Sequence, residues 1–338
     1  MHHGAITIVV PLALVSFLVG ADGNSSSSSS RSSSKSRHSS RAPAAAAAAA
    51  ADTRTTGLRP PHDGRPTMAT ADSRRQQTPS SLGPGRGPWQ RGPPEEHGLS
   101  AAALSAAAQR IADIAPTRDC LLVVKNGILV HESYATGTES TQYETDSLGK
   151  VFTAAVVGAA VQLGALDVDK PLVEYGLTSP TVPGAWNRSG VDYWPNVTAR
   201  HLLNQMSGYG LAPPGSLFSY DSDIYIQELS AVLRVTAGRI YNGSAVAFAQ
   251  HAFAEPLGVP RLYEFDGLGD DISAGGGQMA TCREIARAGQ LLLNHGKWLD
   301  ENGQARQLMD ESYTRQLFEP AQNGVVEGYG FLVWLNTK

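Results

Sequence analysis

The sequence predicts a mixed α/β (α+β) domain over residues 99–338, on three observations. Two strand patterns joined by a tight-turn signal occupy residues 120–134. A long apolar run at 151–163 and a series of helical patterns follow it. A last strand pattern, GYGFLVWL, stands at 328–335. One hairpin and one late strand are too few for a sheet that many helices cover, so C-terminal strands are expected to be missing.

Each predicted element has a local cause. Residues 99–114 form an Ala-rich amphipathic pattern that a proline stops. Asn126-Gly127 favours a hairpin, because both residues tolerate positive φ. Asp146 can cap the apolar run at 151–163, and a helix that is apolar on every side is expected to be buried. The later helical patterns cover 198–206, 222–237, 245–254 and 282–295.

Residues 1–21 are predicted to be a signal peptide. The apolar run at 6–19, about 14 residues, has the length of a signal core and falls short of the roughly 20 residues that span a bilayer. Val19-Gly20-Ala21 supplies small residues for a signal peptidase, although no Lys or Arg precedes the run. The alternative is a buried helix, which the polar tract that follows disfavours. The sequence therefore predicts a secreted, extracellular protein without a stable membrane span.

Residues 22–98 are of low complexity, with serines at 25–30, alanines at 44–51 and a stretch rich in Pro, Gly and Arg. Such a composition buries too little apolar surface to offset chain entropy, which predicts a disordered linker. The domain that follows, 99–338, holds 16 basic and 25 acidic residues, a net charge of −9. That charge argues against a nucleic-acid partner, because such binding rests on neutralising phosphates.

Glycosylation sequons fit the same secretory route. The pattern Asn-x-Ser/Thr occurs at Asn24, Asn187, Asn196 and Asn242. Some matches arise by chance, but the last three lie in the domain. They predict exposed loops that carry glycans.

Ser147 and Lys150 form a Ser-x-x-Lys motif at the start of the apolar helix. At that spacing a hydroxyl and an amine share one helix face, and the helix N-terminus favours negative charge on the oxygen. Apolar residues at 151–155 can desolvate Lys150, and desolvation favours the neutral amine that acts as a base. The motif alone is weak, because Ser32 and Lys35 have the same spacing in the serine tract. An ordinary capped helix start is the alternative.

Further segments follow that helix in a characteristic order. They are LGALDVDKPL at 163–172, TARHLLNQMSG at 198–208, EPLG at 255–258, and GGG at 275–277 ahead of a helical stretch at 281–294. With the Ser-x-x-Lys motif, this order resembles the serine β-lactamase-like superfamily, which includes class C β-lactamases, DD-peptidases, esterases and 6-aminohexanoate-dimer hydrolases. The resemblance implies a mixed antiparallel sheet flanked by helices, a helical subdomain, and an active site between them.

The resemblance also implies roles for individual residues. Ser147 would be the nucleophile, and Lys150 and Tyr220 would take and return its proton. The family's second motif, Tyr-x-Asn, corresponds to FSYDS at 218–222, where Ser222 stands in place of Asn. Ser222 is predicted to bind substrate, since a hydroxyl can still accept a hydrogen bond, although it reaches less far than an amide. The alternative is a core tyrosine beside a serine that caps a helix.

The family's third motif, Lys/His-x-Gly, is expected beyond residues 328–335, and no such motif stands there in the 338 residues given. In the family its strand supplies the second N–H donor of the oxyanion hole. Loss of one such donor costs about 10²–10³ in rate, so the chain as given is expected to be hydrolytically weak or inactive. A truncated gene model, a fragment and a genuinely short product all remain open.

No cofactor or metal is implied by the motifs. Metal-ligand spacing is absent around His131, His201, His251 and His295. Cys120 and Cys282 could pair in an oxidising compartment, but the sequence leaves their pairing open.

These observations predict a secreted serine hydrolase that acts on a small-molecule amide or ester through an acyl-enzyme at Ser147. The alternative is a non-catalytic binding protein of the same fold, or an inactive fragment. Ser222 and the missing third motif favour the alternative, whereas the set formed by Ser147, Lys150 and Tyr220 favours the enzyme. The identity of the substrate and the oligomeric state do not follow from the sequence.

Overall fold

The computed structural model describes residues 6–9, 79–181, 186–220, 225–264, 268–321 and 324–335. Its α-helices are α1 (Ala101–Ile114), α2 (Gly149–Gln162), α3 (Ala199–Leu203), α4 (Glu228–Val235), α5 (Ala245–Ala249), α6 (Glu255–Leu257), α7 (Cys282–Leu293) and α8 (Glu311–Gln316). Its strands are β1 (Ile6–Val9), β2 (Cys120–Lys125), β3 (Ile128–Tyr134), β4 (Gln142–Glu144), β5 (Met279–Thr281), β6 (Lys297–Leu299) and β7 (Ala305–Gln307).

The helical patterns predicted at 99–114, 198–206, 222–237 and 282–295 are found in shorter form, as α1, α3, α4 and α7. The pattern predicted at 245–254 is found in full, as α5 and a π-helical continuation at Gln250–Ala254. Within the described part of the chain, no helix combines the length and the apolar character needed to cross a membrane.

Three antiparallel strands form the larger sheet, in the order β1-β2-β3. The predicted hairpin is confirmed as β2 and β3. Asn126 and Gly127 form its two-residue turn with φ of 52° and 79°, and Lys125 pairs with Ile128 across it. The rest of β2 is fully buried, as its continuous apolar run requires.

The N-terminal apolar run contributes the third strand of this sheet. β1 pairs antiparallel with β2, from Ile6 opposite Lys125 to Val9 opposite Leu122. The other residues of the predicted signal peptide, 1–21, lie outside the described residues. A short apolar stretch fits a signal core and a strand equally well, because both need only consecutive apolar side chains.

α2 is the buried centre of the helical layer. Every residue from Gly149 to Ala160 is buried, as predicted for a helix that is apolar all round. The Tyr313 hydroxyl, on α8, donates to the Ala154 carbonyl at 2.9 Å. α2 also packs against α4 and the π-helical stretch. The helix that carries Lys150 is therefore held by its neighbours on several sides.

A disulfide joins the larger sheet to α7. Cys120, the first residue of β2, is bonded to Cys282, the first residue of α7, with the two Cα atoms 6.6 Å apart. The structure thus decides a pairing that the sequence leaves open. Beside it, the Arg283 guanidinium donates to both oxygens of the Glu132 carboxylate, at 2.9 and 3.0 Å. Both strands of the hairpin are fastened to α7 by these contacts.

Residues 79–98 differ from the predicted disordered linker, because they pack against the domain. Leu82 is 1% exposed. The buried Arg287 guanidinium donates to the Gly85 carbonyl, which fixes the backbone of this segment. A few anchors within a Pro/Gly-rich stretch supply the burial that composition alone does not predict. The predicted boundary at residue 98 therefore lies too far along the chain, and 22–78 lie outside the described residues.

The strand predicted at 328–335 is a tight chain reversal instead. Tyr329 and Trp334 form an isolated antiparallel bridge, and the Gly330 N–H donates to the Val333 carbonyl at 2.9 Å. Between them Leu332 has a φ of 57°, which turns the backbone. Residues 329 to 333 are all buried, so they lack the alternation of a strand with one solvent face.

Candidate active site

Ser147 and Lys150 are brought together at the start of α2. Ser147 lies in a 3-10 turn, Asp146–Leu148, that runs directly into the helix. Lys150 Nζ donates to Ser147 Oγ at 2.9 Å and to the Gly275 carbonyl at 2.7 Å. Lys150 is 1% exposed, whereas Ser147 is partly open to solvent. The pair therefore shares one face, as the spacing predicts, with a buried amine against a reachable hydroxyl.

The residue before Ser147 has an uncommon backbone conformation. Asp146 is predicted to cap the helix, but the N-cap positions of the 3-10 turn and of α2 are Thr145 and Leu148, neither with a side-chain capping hydrogen bond. Asp146 has a φ of 45° instead, and its carbonyl accepts a hydrogen bond from the Gly277 N–H at 3.1 Å. A non-glycine residue at positive φ costs free energy and persists only where its surroundings hold it. The glycine turn is that support.

The glycine turn at 275–277 packs directly on the turn that precedes α2. A Cβ on Gly276 would lie 1.7 Å from the Asp146 carbonyl oxygen. A Cβ on Gly149 would lie 2.5 Å from the backbone Cα of Gly276. Both positions require glycine, because any side chain would push the two turns apart. The sequence predicts a turn here, and the structure supplies the reason for its composition.

β4 and β5 hold the two turns side by side. Glu144 lies opposite Met279, and the Thr145 N–H donates to the Gln278 carbonyl at 2.9 Å. Thr281 then caps α7 through a capping box. The glycine turn, whose Gly275 carbonyl accepts the Lys150 hydrogen bond, is therefore anchored by the β4–β5 pair and by α7.

Tyr220 lies across the site from Lys150. The ring centroid of Tyr220 is 4.8 Å from Lys150 Nζ, so the ring packs directly against the amine. Tyr220 is 40% exposed, which excludes the alternative of a core tyrosine. Ser222 falls in the segment 221–224, outside the described residues.

Sequence reasoning missed the aromatic residues that surround Tyr220. The Tyr220 and Trp334 rings have centroids 5.5 Å apart and an interplanar angle of 31°. Phe218 and Tyr329 pack behind them, with centroids 5.3 Å apart. No local pattern could have predicted this cluster, because its two halves lie more than 100 residues apart in the chain.

The other predicted site residues have clear positions. Among the predicted glycosylation sites, Asn187, Asn196 and Asn242 are all exposed, whereas Asn24 lies outside the described residues. The exposure of the three domain sites is what a glycan requires.

The histidines take part in local structure where their contacts are described. The His201 side chain completes the capping box of α3, and His251 contacts Glu255 at 3.0 Å. Burial lowers the pKa of His131 and His295. In the described ranges, no three His, Cys, Asp or Glu side chains form a group that could hold a metal ion.

Comparison with known proteins supports the interpretation of these motifs. Residues 106–242, which include the Ser-x-x-Lys motif and Tyr220, match a family model described as Beta-lactamase. A solved structure from Bacteroides dorei DSM 17855, described as a β-lactamase, has a TM-score of 0.54 and 20% identity over 70% of this chain and 79% of that chain. A protein from Bacillus anthracis described as a 6-aminohexanoate-dimer hydrolase has a TM-score of 0.46 and 22% identity over 66% of each chain. Among curated proteins, none matches.

The family model covers the turn that carries Ser147 and the helix that carries Lys150, and the Bacteroides dorei structure shares its fold with 70% of this chain. The predicted fold is therefore confirmed. Together with the ordered motifs, these matches support the resemblance to the serine β-lactamase-like superfamily, with residues 106–242 matching the family model itself.

Proposed function

We propose that this protein is a secreted serine hydrolase that cleaves a small-molecule ester or amide through an acyl-enzyme at Ser147. The observation that carries the proposal is the 2.9 Å contact between Lys150 Nζ and Ser147 Oγ in a partly open site. An amine at this distance can remove the hydroxyl proton as the oxygen attacks a carbonyl carbon. The family match supports serine hydrolase chemistry in general.

In the proposed first step, Ser147 Oγ forms a bond to the carbonyl carbon and its proton passes to the Lys150 amine. The tetrahedral intermediate collapses when the bond to the leaving alcohol or amine breaks. That group takes the proton from Lys150, directly or with the help of the Tyr220 hydroxyl. Water then attacks the acyl-enzyme, which releases the carboxylic acid and restores the Ser147 hydroxyl.

The surroundings of Ser147 favour the developing charge. The N-terminal end of α2 lies next to its oxygen, and a helix N-terminus stabilises negative charge. The contact of Lys150 with the Gly275 carbonyl fixes the amine in place, so little reorganisation is needed during proton transfer.

Secretion is supported by three features. The apolar run and the small residues at 19–21 have the form of a signal peptide, the domain sequons are exposed, and a disulfide occurs in the domain. Pairing of β1 with β2 favours the alternative that the N-terminus is retained. The N-terminal sequence of the protein recovered from the medium of a eukaryotic host distinguishes them: a start near residue 22 supports cleavage.

The function is tested with a fluorophosphonate probe, which labels activated serines. Wild type is expected to be labelled and to hydrolyse an aryl ester at the low rate that a chain without the third motif implies, and Ser147→Ala should lose both properties. Ser32→Ala is the matched control, because Ser32 has the same spacing to a lysine. Labelling that survives in Ser147→Ala would refute the proposal. Absence of labelling in folded wild type would favour the non-catalytic binding protein, for which Ser222 in place of Asn is the sequence argument.

A further inference from the structure

One tryptophan differs from all the others in its exposure. The chain has 5 tryptophans, and four of them, Trp89, Trp186, Trp194 and Trp298, are between 0% and 8% exposed. Trp334 is 42% exposed. An indole exposed to this extent gives up hydrophobic stabilisation that burial would provide. Trp334 lies beside the candidate site, where a bound substrate can cover its exposed face.

Trp334 and Tyr220 together form an exposed aromatic surface. Tyr220 is 40% exposed, and its ring lies 5.5 Å from that of Trp334 at an interplanar angle of 31°. Of the 11 tyrosines, the other ten are buried or half-buried. The two most exposed large aromatic side chains of the described chain therefore lie next to each other.

Buried groups hold this surface from behind. The Tyr329 ring meets Trp334 edge-on with centroids 4.8 Å apart. Tyr329 is itself 0% exposed, and its hydroxyl accepts a hydrogen bond from Gln205 Nε2 at 2.5 Å. Because the buried Tyr329 ring is held by this hydrogen bond, the rings of Tyr220 and Trp334 that pack on it have little freedom to move. The aromatic surface is therefore already formed before a ligand binds.

The position of the surface relative to Lys150 decides which part of a substrate it meets. Lys150 Nζ lies 2.9 Å from Ser147 Oγ and 4.8 Å from the Tyr220 ring centroid. In the proposed mechanism the group that accepts the serine proton must return it to the leaving atom. The leaving alcohol or amine therefore lies on the Lys150 side of the carbonyl, which is the side of the aromatic surface.

We propose that the aromatic surface of Tyr220 and Trp334 binds the leaving group of the substrate, and that this group carries a planar apolar ring. The preferred substrate class is then an ester or amide of an aryl or arylmethyl alcohol or amine. Trp334 acts as a specificity-determining residue, because stacking on its face adds binding that an alkyl group cannot obtain. This inference rests on the proposed function for the location of the reacting carbonyl.

The test compares benzyl acetate with propyl acetate, which share the acyl group and have alcohols of similar acidity, followed by acid release in a pH-stat. In Trp334→Ala, KM for benzyl acetate is expected to rise about fivefold to tenfold, because a ring contact is lost. The constants for propyl acetate should change less than about twofold. Trp334→Phe, which keeps a ring, should retain most of the preference. Ile114→Ala is the control, since Ile114 is an exposed apolar side chain at the end of α1.

A second readout does not depend on turnover. In Ser147→Ala, benzyl acetate is expected to protect tryptophan fluorescence from iodide quenching, because Trp334 is the exposed indole, whereas propyl acetate should not. Equal KM changes for both esters, or no protection by benzyl acetate, would overturn the inference. Hydrolysis that persists in Ser147→Ala would instead overturn the proposed function, while protection of Trp334 would still be measured separately.

Discussion

Gly149 and Gly276 set the distance between the turn that carries Ser147 and the glycine turn whose Gly275 carbonyl accepts the Lys150 hydrogen bond. A Cβ on Gly276 would collide with the Asp146 carbonyl oxygen at 1.7 Å. That oxygen is backbone and cannot move away without displacing Ser147. The geometry of the catalytic pair therefore depends on a residue that contributes no functional group.

Gly276→Ala is expected to reduce the rate of fluorophosphonate labelling of Ser147 at least about tenfold, since a shift of about 1 Å at a reacting group costs this much or more. Gly164→Ala is the matched control. Gly164 also has a positive φ, 65°, but a Cβ there meets nothing within 4 Å. Its variant should lose only about 1–2 kcal/mol of stability, measured by urea unfolding. If the two variants are labelled equally fast, the close approach of the turns is not required.

Glu132 is a buried carboxylate whose charge is maintained by its neighbours. Its side chain is 4% exposed. Burial acts to raise its pKa, but hydrogen bonds from Arg283 and Tyr134 and the charges of Arg283 and Arg91 outweigh burial and lower the pKa below 4.5. The folded state therefore binds a proton at Glu132 less readily than the unfolded state does.

This shift predicts a loss of stability in acid. The contribution of Glu132 to the free energy of unfolding is fully present above pH 4.5 and is lost as the pH falls through the lowered pKa of the folded state. Glu132→Gln should be less stable than wild type at pH 7 by about 1–3 kcal/mol and should lose less on acidification. Urea unfolding between pH 7 and about pH 3 measures both effects. Glu174→Gln, in an exposed pair with Lys170, is the control and should behave as wild type does. An acid dependence in Glu132→Gln as steep as that of wild type would assign the effect to other groups.

At the scale of elements, α7 connects the larger sheet to the candidate site. Its first residue, Cys282, is bonded to β2, and Arg283 binds Glu132 on β3. The residues directly before it form β5 and the turn that accepts the Lys150 hydrogen bond. The start of α7 is thus the shared anchor of the sheet and of the glycine turn.

Removal of the disulfide is expected to destabilise the protein by about 2–4 kcal/mol, because the bond closes a loop with a sequence separation of 162 residues. Cys120→Ala/Cys282→Ala should therefore have a lower Tm than oxidised wild type. Dithiothreitol should lower the Tm of wild type towards that of the double variant and leave the double variant unchanged. A double variant that responds to dithiothreitol as strongly as wild type would show that the reductant acts elsewhere.

At the scale of the whole molecule, the segment at 79–98 belongs to the folded domain. The Arg287 guanidinium donates to the carbonyls of Gly85, Gly87 and Leu257, and burial lowers its pKa to about 10, so it stays charged at neutral pH. The Trp89 indole donates to the Arg283 carbonyl at 3.0 Å. These contacts join the segment to the first two turns of α7.

Two deletions should therefore behave differently. Deletion of 22–78 is expected to leave the thermal midpoint nearly unchanged, because its composition predicts little burial. Deletion of 22–98 should lower the midpoint by several degrees, since it exposes apolar surface and removes two of the carbonyls to which the buried Arg287 donates. Thermal unfolding followed by circular dichroism compares the two. Equal midpoints for the two deletions would show that residues 79–98 do not contribute to the stability of the domain.

The candidate site was predictable only where its geometry is local. Ser147 and Lys150 are three residues apart, so helix periodicity alone places them on one face, and the apolar run that follows predicts burial of the amine. The Asn126-Gly127 hairpin is equally local, because the turn chemistry of two residues fixes the pairing of their neighbours. Patterns of this kind determine elements and the spacing within them.

Contacts between distant segments were decided by the tertiary structure. Lys150 donates a hydrogen bond to the Gly275 carbonyl, which lies 125 residues further along the chain. The two cysteines of the disulfide lie 162 residues apart. Trp334 contacts Tyr220 because residues 328–335 form a chain reversal. The apolar pattern of these residues fits a strand and a buried reversal equally well. By itself, the sequence determined the hairpin, the buried helix and the paired hydroxyl and amine. Which surfaces meet around them depends on how whole elements pack, and local periodicity carries no information about that.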